Sequence, residues 1–302
     1  MSDWTHGIPR TWIRDDDPRY PERLRDLPKP PEELYILGDP AALTTPIMAI
    51  IGARRATPYG LSVAELAART AVESDLTVIS GGAAGCDSHA QHEAASAGSR
   101  VVSVAACGPD VVYPSGSESG LLALLDAGGA VVSEYPWGTR PTRWRFSERN
   151  RIIVALAQLV LIAEAALPSG TFLAANLASE LSRTLVAAPG SIFSPESEGA
   201  NYLLSDIATP IWNTRSLREM IALTFGTMLV RREENEAGTA DTVMRSLIAS
   251  PMDAERLADS LGVEAVDAIR LLSAYEADGL VTRGPDGRYA PTPASYRSLG
   301  MM

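Results

Sequence analysis

The chain has 302 residues, a formal net charge of −11 at pH 7, 46% hydrophobic residues and 21% charged residues, enough for a sizeable core and two domains in an ordinary soluble globular composition. Net acidity excludes a protein that coats nucleic acid with its whole surface, so any nucleic-acid site has to be local. No run of eighteen apolar residues spans a membrane, MSDWTHGIPRTW is no secretory leader, and Cys86 and Cys107 form neither a disulfide framework nor zinc-ligand spacing, which together point to the cytoplasm.

Residues 1–45 are punctuated by prolines at 18, 21, 28, 30 and 31, which break helices. They read as an amino-terminal arm packing on the core, with a short edge strand at 34–37. The apolar run 47–52 (IMAIIG) reads as a buried parallel strand ending in glycine. It leads through Ala53-Arg54-Arg55 into an amphipathic helix reaching about residue 73. A second strand at 76–80 is followed by the glycine-rich turn 81–85 and a helix at 88–98. A third strand at 100–106, a helix at 119–127 and a fourth strand at 129–133 come next. A helix opens at 152–156, and strands at 159–163 and 184–188 flank a helix at 172–183. A polar loop, a short helix and a final strand fill 191–215. Strand, glycine turn and helix repeated over 46–230 predict an α/β core, an extended Rossmann-like doubly wound parallel sheet. The charged, aperiodic run 231–238 reads as a linker. Helices at 239–248, 253–260 and 264–277, then a hairpin around Gly284-Pro285-Asp286-Gly287, predict a small C-terminal winged helix-turn-helix domain over 239–302.

In doubly wound sheets ligands bind beyond the carboxyl ends of the strands. The polar motifs of this chain gather there: Gly52-Ala53-Arg54-Arg55, the turn from Ser80-Gly81 to Asp87, residues 108–113, Ser133-Glu134, Glu164 and Ser169-Gly170. Five arginines (Arg140, Arg143, Arg145, Arg149 and Arg151) fall within residues 140–151, against the acidic background; Lys29 is the only lysine. Arginine makes forked contacts with phosphate oxygens and stacks on exposed bases. The turn 81–85 fits neither the dinucleotide fingerprint nor the Walker pattern. With Ser169-Gly170 it reads as an anion site made of backbone amides at helix starts. Arg149 and Arg151 are expected to divide, one holding Glu134 or Glu164 and the other meeting the ligand. Asp87, His89, His92 and Glu93 lack a further strong ligand at helical spacing, so they read as structural, with Asp87 as a helix N-cap. No triad or nucleophile elbow is present.

The motifs come in a telling order: Ile51-Gly52-Ala53-Arg54 with Pro58-Tyr59-Gly60, Ser80-Gly81 through Gly85-Cys86-Asp87, Tyr113-Pro114, Ser133-Glu134 with Pro136 and Gly138, Phe146 with Arg149-Asn150-Arg151-Ile152-Ile153, Glu164, Ser169-Gly170, Pro189-Gly190, and Gly199 with Asn201 and Leu203. Over roughly residues 17–212 this resembles the DNA-processing protein A (DprA/Smf) family. The resemblance implies a homodimer that binds single-stranded DNA without catalysis or cofactor, protects incoming DNA and loads a RecA-type recombinase during natural transformation. It places Arg54 at the DNA-binding arginine of the family's G-[ST]-R element, and Gly52, Ser80, Gly81, Arg149, Asn150, Arg151, Ser169 and Gly170 in the same pocket. Arg55, Arg143 and Arg145 join them as DNA-binding candidates from the arginine pattern. No metal ligand is expected. Ala53 departs from the usual Ser or Thr, and Gln91 stands where the family has histidine.

The C-terminal segment has six arginines against nine carboxylates over 237–302, and its recognition-helix position carries Glu264, Asp267 and Glu276 against Arg270. An acidic helix is ill suited to a groove lined by phosphate, so protein or dimer contact is expected of it. Two other functions fit parts of the pattern: a Rossmann-like nucleotide-binding sensor or enzyme, for which glycine turns suit a phosphate, and an adaptor that recruits partners through the winged helix.

Overall fold

The strand Ile47–Ile51 is buried at every position. Ile47, Ala49 and Ile51 enter one apolar cluster, Met48 and Ile50 another. Both faces are covered, which is why the sequence is an unbroken apolar run and not an alternation. Each fully buried isoleucine contributes about 1.5–3 kcal/mol relative to exposure. The computed structural model describes residues 4–226, 242–293 and 295.

This strand, β3, lies inside a nine-stranded sheet. The spatial order is β1 (Arg10–Arg14), β2 (Glu33–Gly38), β6 (Ala130–Ser133), β5 (Val101–Val104), β4 (Thr77–Ser80), β3, β7 (Leu159–Ile162), β8 (Thr184–Ala187) and β9 (Thr209–Pro210). From β6 to β9 all neighbours are parallel. One face is covered by α1 (Pro58–Glu73), α2 (Cys86–Ser96), α3 (Glu118–Asp126) and α8 (Thr214–Phe225), through small residues such as Ala64, Ala67, Ala68, Ala90 and Ala94 and larger ones such as Leu124 and Leu217. The other is covered by α5 (Asn150–Leu156), α6 (Thr171–Glu180) and α7 (Glu198–Leu204), with the short α4 (Arg145–Glu148) leading into α5. The expected doubly wound sheet is therefore present. Its order reverses between β3 and β7, which makes their carboxyl ends the topological switch point.

The amino-terminal segment does more than pack as an arm. β1 and β2 extend the sheet, with β2 antiparallel to both β1 and β6. The stretch expected as an edge strand is thus internal, and Arg10–Arg14 takes the edge. Its polar and exposed residues, with only Ile13 buried, hide this strand from a search for apolar runs. Helix α8 was not anticipated either. It starts with a capping box in which the Asn213 side chain accepts from the Ser216 N–H at 2.8 Å.

Beyond this sheet lie α9 (Thr242–Ala249), α10 (Ala254–Leu261), α11 (Ala265–Ala277) and the antiparallel pair β10 (Val281–Arg283) and β11 (Tyr289–Pro291). They close around their own cluster, which includes Leu247, Leu257, Leu272, Val281 and Tyr289. Asp253 caps α10 by accepting from the Arg256 N–H at 2.9 Å, and Gly262 ends it in the left-handed conformation at φ +67°. The expected linker 231–238 lies outside the described residues. Among the described residues no helix is long and apolar enough to cross a membrane.

Candidate functional site

Where β4 ends, the chain turns through Gly81–Gly85 into α2. Asp87 is expected at the cap of this helix, but Gly85 holds that place, and its φ of +88° explains the glycine. Asp87 sits in the first turn and points its carboxylate back under the loop, where it accepts the Gly81 N–H at 3.2 Å. The N–H groups of Gly52 and Ala83 also stabilise its charge. The anion held by the Gly81 and Ala83 amides of this turn is thus one of the protein's own side chains. Burial raises the Asp87 carboxyl above its ordinary value, with Arg149 opposing the shift.

Arg149 joins α4 to α5 and is only 3% exposed. Its Nη1 donates to the Gly81 carbonyl at 2.5 Å and to the Val104 carbonyl, and its Nε donates to Asn150 Oδ1 at 3.1 Å. Burial pulls its pKa down to about 10, against the attraction of Asp87. Arg151 pairs with Glu134 and donates to the Lys29 carbonyl at 3.1 Å. One half of the expected division holds, since Arg151 takes Glu134 and ties α5 to the end of β6; Arg149 is buried and stitches β4, β5 and α5 together. Burial raises the Glu134 carboxyl, Arg151 opposing. Glu164, at the end of β7, takes no arginine. It accepts the Thr57 N–H at 2.8 Å and the Thr57 hydroxyl at 2.5 Å, fixing the start of α1 at the switch point.

An open cleft of about 180 Å³ lies over this framework. Gly81, Gly82, Ser103 and Arg149 line it, and Arg54, Tyr113 and Phe146 stand at its rim. The Arg54 guanidinium lies 5.6 Å from the centre of the Phe146 ring, and Tyr113 packs on the same ring at 5.0 Å. Tyr113 is nonetheless 49% exposed. Nearby, Arg145 lies over Tyr135 at 4.3 Å and Trp144 at 5.3 Å, with Trp144 59% exposed. Arg54, Arg55, Arg140 and Arg143 are exposed, and among the described residues none has a carboxylate within ion-pair distance. Unpaired arginines beside exposed aromatic rings suit a flexible polyanion that carries bases.

The expected residues thus separate. Arg54, Gly81 and Arg149 meet at the cleft, Arg149 as part of its wall. Gly52 serves the close approach of the β3 turn to α2, since a Cβ there would lie 2.5 Å from Cys86 Sγ. Ser80 is fully buried and donates to the Ile50 carbonyl at 2.6 Å, so it faces the sheet and not a ligand. Asn150 and Arg151 are framework. Ser169 and Gly170 follow β7 and do not line the cleft. Arg55, Arg143 and Arg145 are outside the cleft lining as well, as outer cations. His89 meets Glu65 at 3.3 Å, as the structural reading expects, and among the described residues no group of three or more His, Cys, Asp and Glu could hold a metal ion. Tyr113 and Phe146 enter the sequence pattern as motif residues without a role in binding, and Tyr135 and Trp144 were missed; the signal for Trp144 and Phe146 was an aromatic interleaved with arginines, Arg143-Trp144-Arg145-Phe146.

The sequence pattern of the family described as DNA recombination-mediator protein A matches residues 11–222. Protein Smf of Synechocystis sp. is 33% identical over 210 residues, which is 68% of this chain and 52% of that protein; the chain spans about half the length of such curated relatives. Among solved structures, DNA processing protein A of Streptococcus pneumoniae superposes with a TM-score of 0.64 at 29% identity, covering 72% of this chain and 75% of the other. DNA processing protein A of Helicobacter pylori, a structure described for its single-stranded DNA binding mode, superposes with a TM-score of 0.65 at 30% identity, covering 74% of this chain and 99% of the other.

Proposed function

Since the chain belongs to the DNA recombination-mediator protein A family, we propose that it binds single-stranded DNA at the arginine-rimmed cleft beyond β4 and β5. The observation that carries this reading is the set of exposed arginines without acid partners, Arg54, Arg55, Arg140 and Arg143, beside exposed Tyr113 and Trp144 in a protein of net charge −11. Phosphates meet the guanidinium groups and bases stack on the rings, a mode that tolerates any sequence. The site holds its ligand and does not cut it. In the same reading the protein works in the cytoplasm as a homodimer, protects incoming DNA and delivers it to a RecA-type recombinase during natural transformation. Its C-terminal helices and hairpin act as a winged helix joined by the segment 231–238.

The test is fluorescence anisotropy with a labelled oligo-dT at several salt concentrations. The full chain binds with an affinity that falls steeply with salt. Arg54→Ala and Arg143→Ala each weaken binding for every sequence and lower the log–log salt slope by about 0.7, the value for one phosphate contact on a single strand. Variants that bind like the parent would remove the cleft from the reading; a parent protein without salt-dependent binding would remove the function itself.

A further inference from the structure

A second cleft, of about 330 Å³, opens between α2 and the start of α3. It shares Gly82, Ser103, Tyr113 and Leu121 with the first cleft, so the two are contiguous and Tyr113 stands between them. Their chemistry differs. The first has the Phe146 ring with the Arg54 and Arg149 guanidiniums; the second has no arginine and is lined by His89, His92, Ser88, Ser117 and Ser119. Ser103 is 4% exposed, and among the described residues its hydroxyl has no hydrogen-bond partner although it lines both clefts. His89 uses Nδ1 on Glu65, and among the described residues no hydrogen bond engages its Nε2. His92 is exposed and also without a partner among the described residues. Ser103 lines both clefts, so its hydroxyl can meet a ligand there.

We propose that the second cleft is the subsite for the nucleotide next to the one in the first cleft, and that it takes the sugar and phosphate of that nucleotide and not its base. Ser88 and Ser117 already donate to the Gly85 and Pro114 carbonyls, so the Ser103 and Ser119 hydroxyls and the imidazoles are the groups that donate to phosphate oxygens and exchange hydrogen bonds with sugar oxygens, whereas the Phe146 face that holds a base lies on the other side of Tyr113. Tyr113 then packs between successive nucleotides and sets their spacing. This inference rests on the proposed binding of single-stranded DNA.

The experiment measures the affinity of the full chain for dT ligands of graded length, from a single nucleotide upward, by competition against a labelled long oligomer. His92→Ala and Ser119→Ala are the variants, since both residues line the second cleft and not the first, with Arg54→Ala as control and thermal melting to confirm folding. His92 and Ser119 are exposed, so their replacement leaves the fold intact. The expected result is a loss of threefold or more for the oligomers with either variant and none for the single nucleotide, while Arg54→Ala loses affinity at every length. If His92→Ala and Ser119→Ala bind all lengths like the parent while Arg54→Ala does not, the second subsite is refuted and the DNA-binding reading stands. Equal loss at every length would also overturn it, since the effect would then lie in the first cleft. If the parent binds no oligomer, both readings fall together.

Discussion

Gly81 shows how little room the framework under the cleft leaves. A Cβ at this position would lie 2.1 Å from Nη2 and 2.3 Å from Cζ of Arg149. The guanidinium has nowhere to go, since the carbonyls of Gly81 and Val104 and the side chain of Asn150 hold it. Gly81→Ala is therefore expected to destabilise the fold by about 1–3 kcal/mol, the usual cost of overpacking, and to weaken oligonucleotide binding together with it. A thermal melt and an anisotropy titration on the same preparation check this, and a variant with parental melting temperature would show that Arg149 is free to move. Arg149 also marks the limit of reading residues singly. Its place in an arginine cluster suggested a ligand contact, yet it is buried, and its Nη1 and Nε donors go to internal oxygens.

At the scale of elements, Glu164 joins β7 to α1 across the switch point. Burial outweighs the two hydrogen bonds from Thr57, so the carboxyl is raised above its ordinary value of 4.5. A raised carboxyl pKa means that the native state holds the proton more tightly than the unfolded chain. The stability from that proton is fully present below pH 4.5 and is lost as pH rises through the folded value. Glu164→Gln cannot ionise, so its melting temperature relative to the parent should improve as pH goes from 4 to 7. A difference that stays constant over that range would mean the carboxylate is not strained by burial. Thr57 serves two elements at once: it caps α1 by accepting from the Gly60 N–H at 3.2 Å and donates to Glu164. The core strands and most helices of the sheet were legible, because each is a local run of apolar residues punctuated by glycine. β1 was not, because an edge strand buries little and its pairing with β2 is a long-range event.

For the whole molecule, charge is distributed unevenly. Of the free arginines Arg54 stands at the cleft and Arg55, Arg140 and Arg143 outside its lining, while α11 carries Asp267 and Glu276, with Glu264 at its cap position. Val266 and Ile269 on this helix are 58% and 51% exposed. Such a surface repels phosphate and offers apolar area, which suits a protein contact better than a DNA groove. A chain ending at residue 226 is accordingly expected to keep the affinity of the full chain for single-stranded oligonucleotides within about twofold at equal salt. A loss of tenfold or more in the anisotropy titration would put the C-terminal helices on the DNA.

The sequence by itself determined the parallel core strands in chain order and a cluster of arginines among the polar motifs at their ends, because apolar runs, glycine turns and charge clusters are local patterns that hardly depend on distant residues. Only the tertiary structure decided which arginines are free. Arg149 finds its partners 68 and 45 residues away at Gly81 and Val104, and Arg151 finds Glu134 17 residues away. Those pairings depend on how strands stack side by side, and a buried cation has to be satisfied by whatever the neighbouring strands bring. The same packing turned the amides of the glycine loop inward to Asp87 and left Arg54, Tyr113 and Phe146 facing out around the cleft.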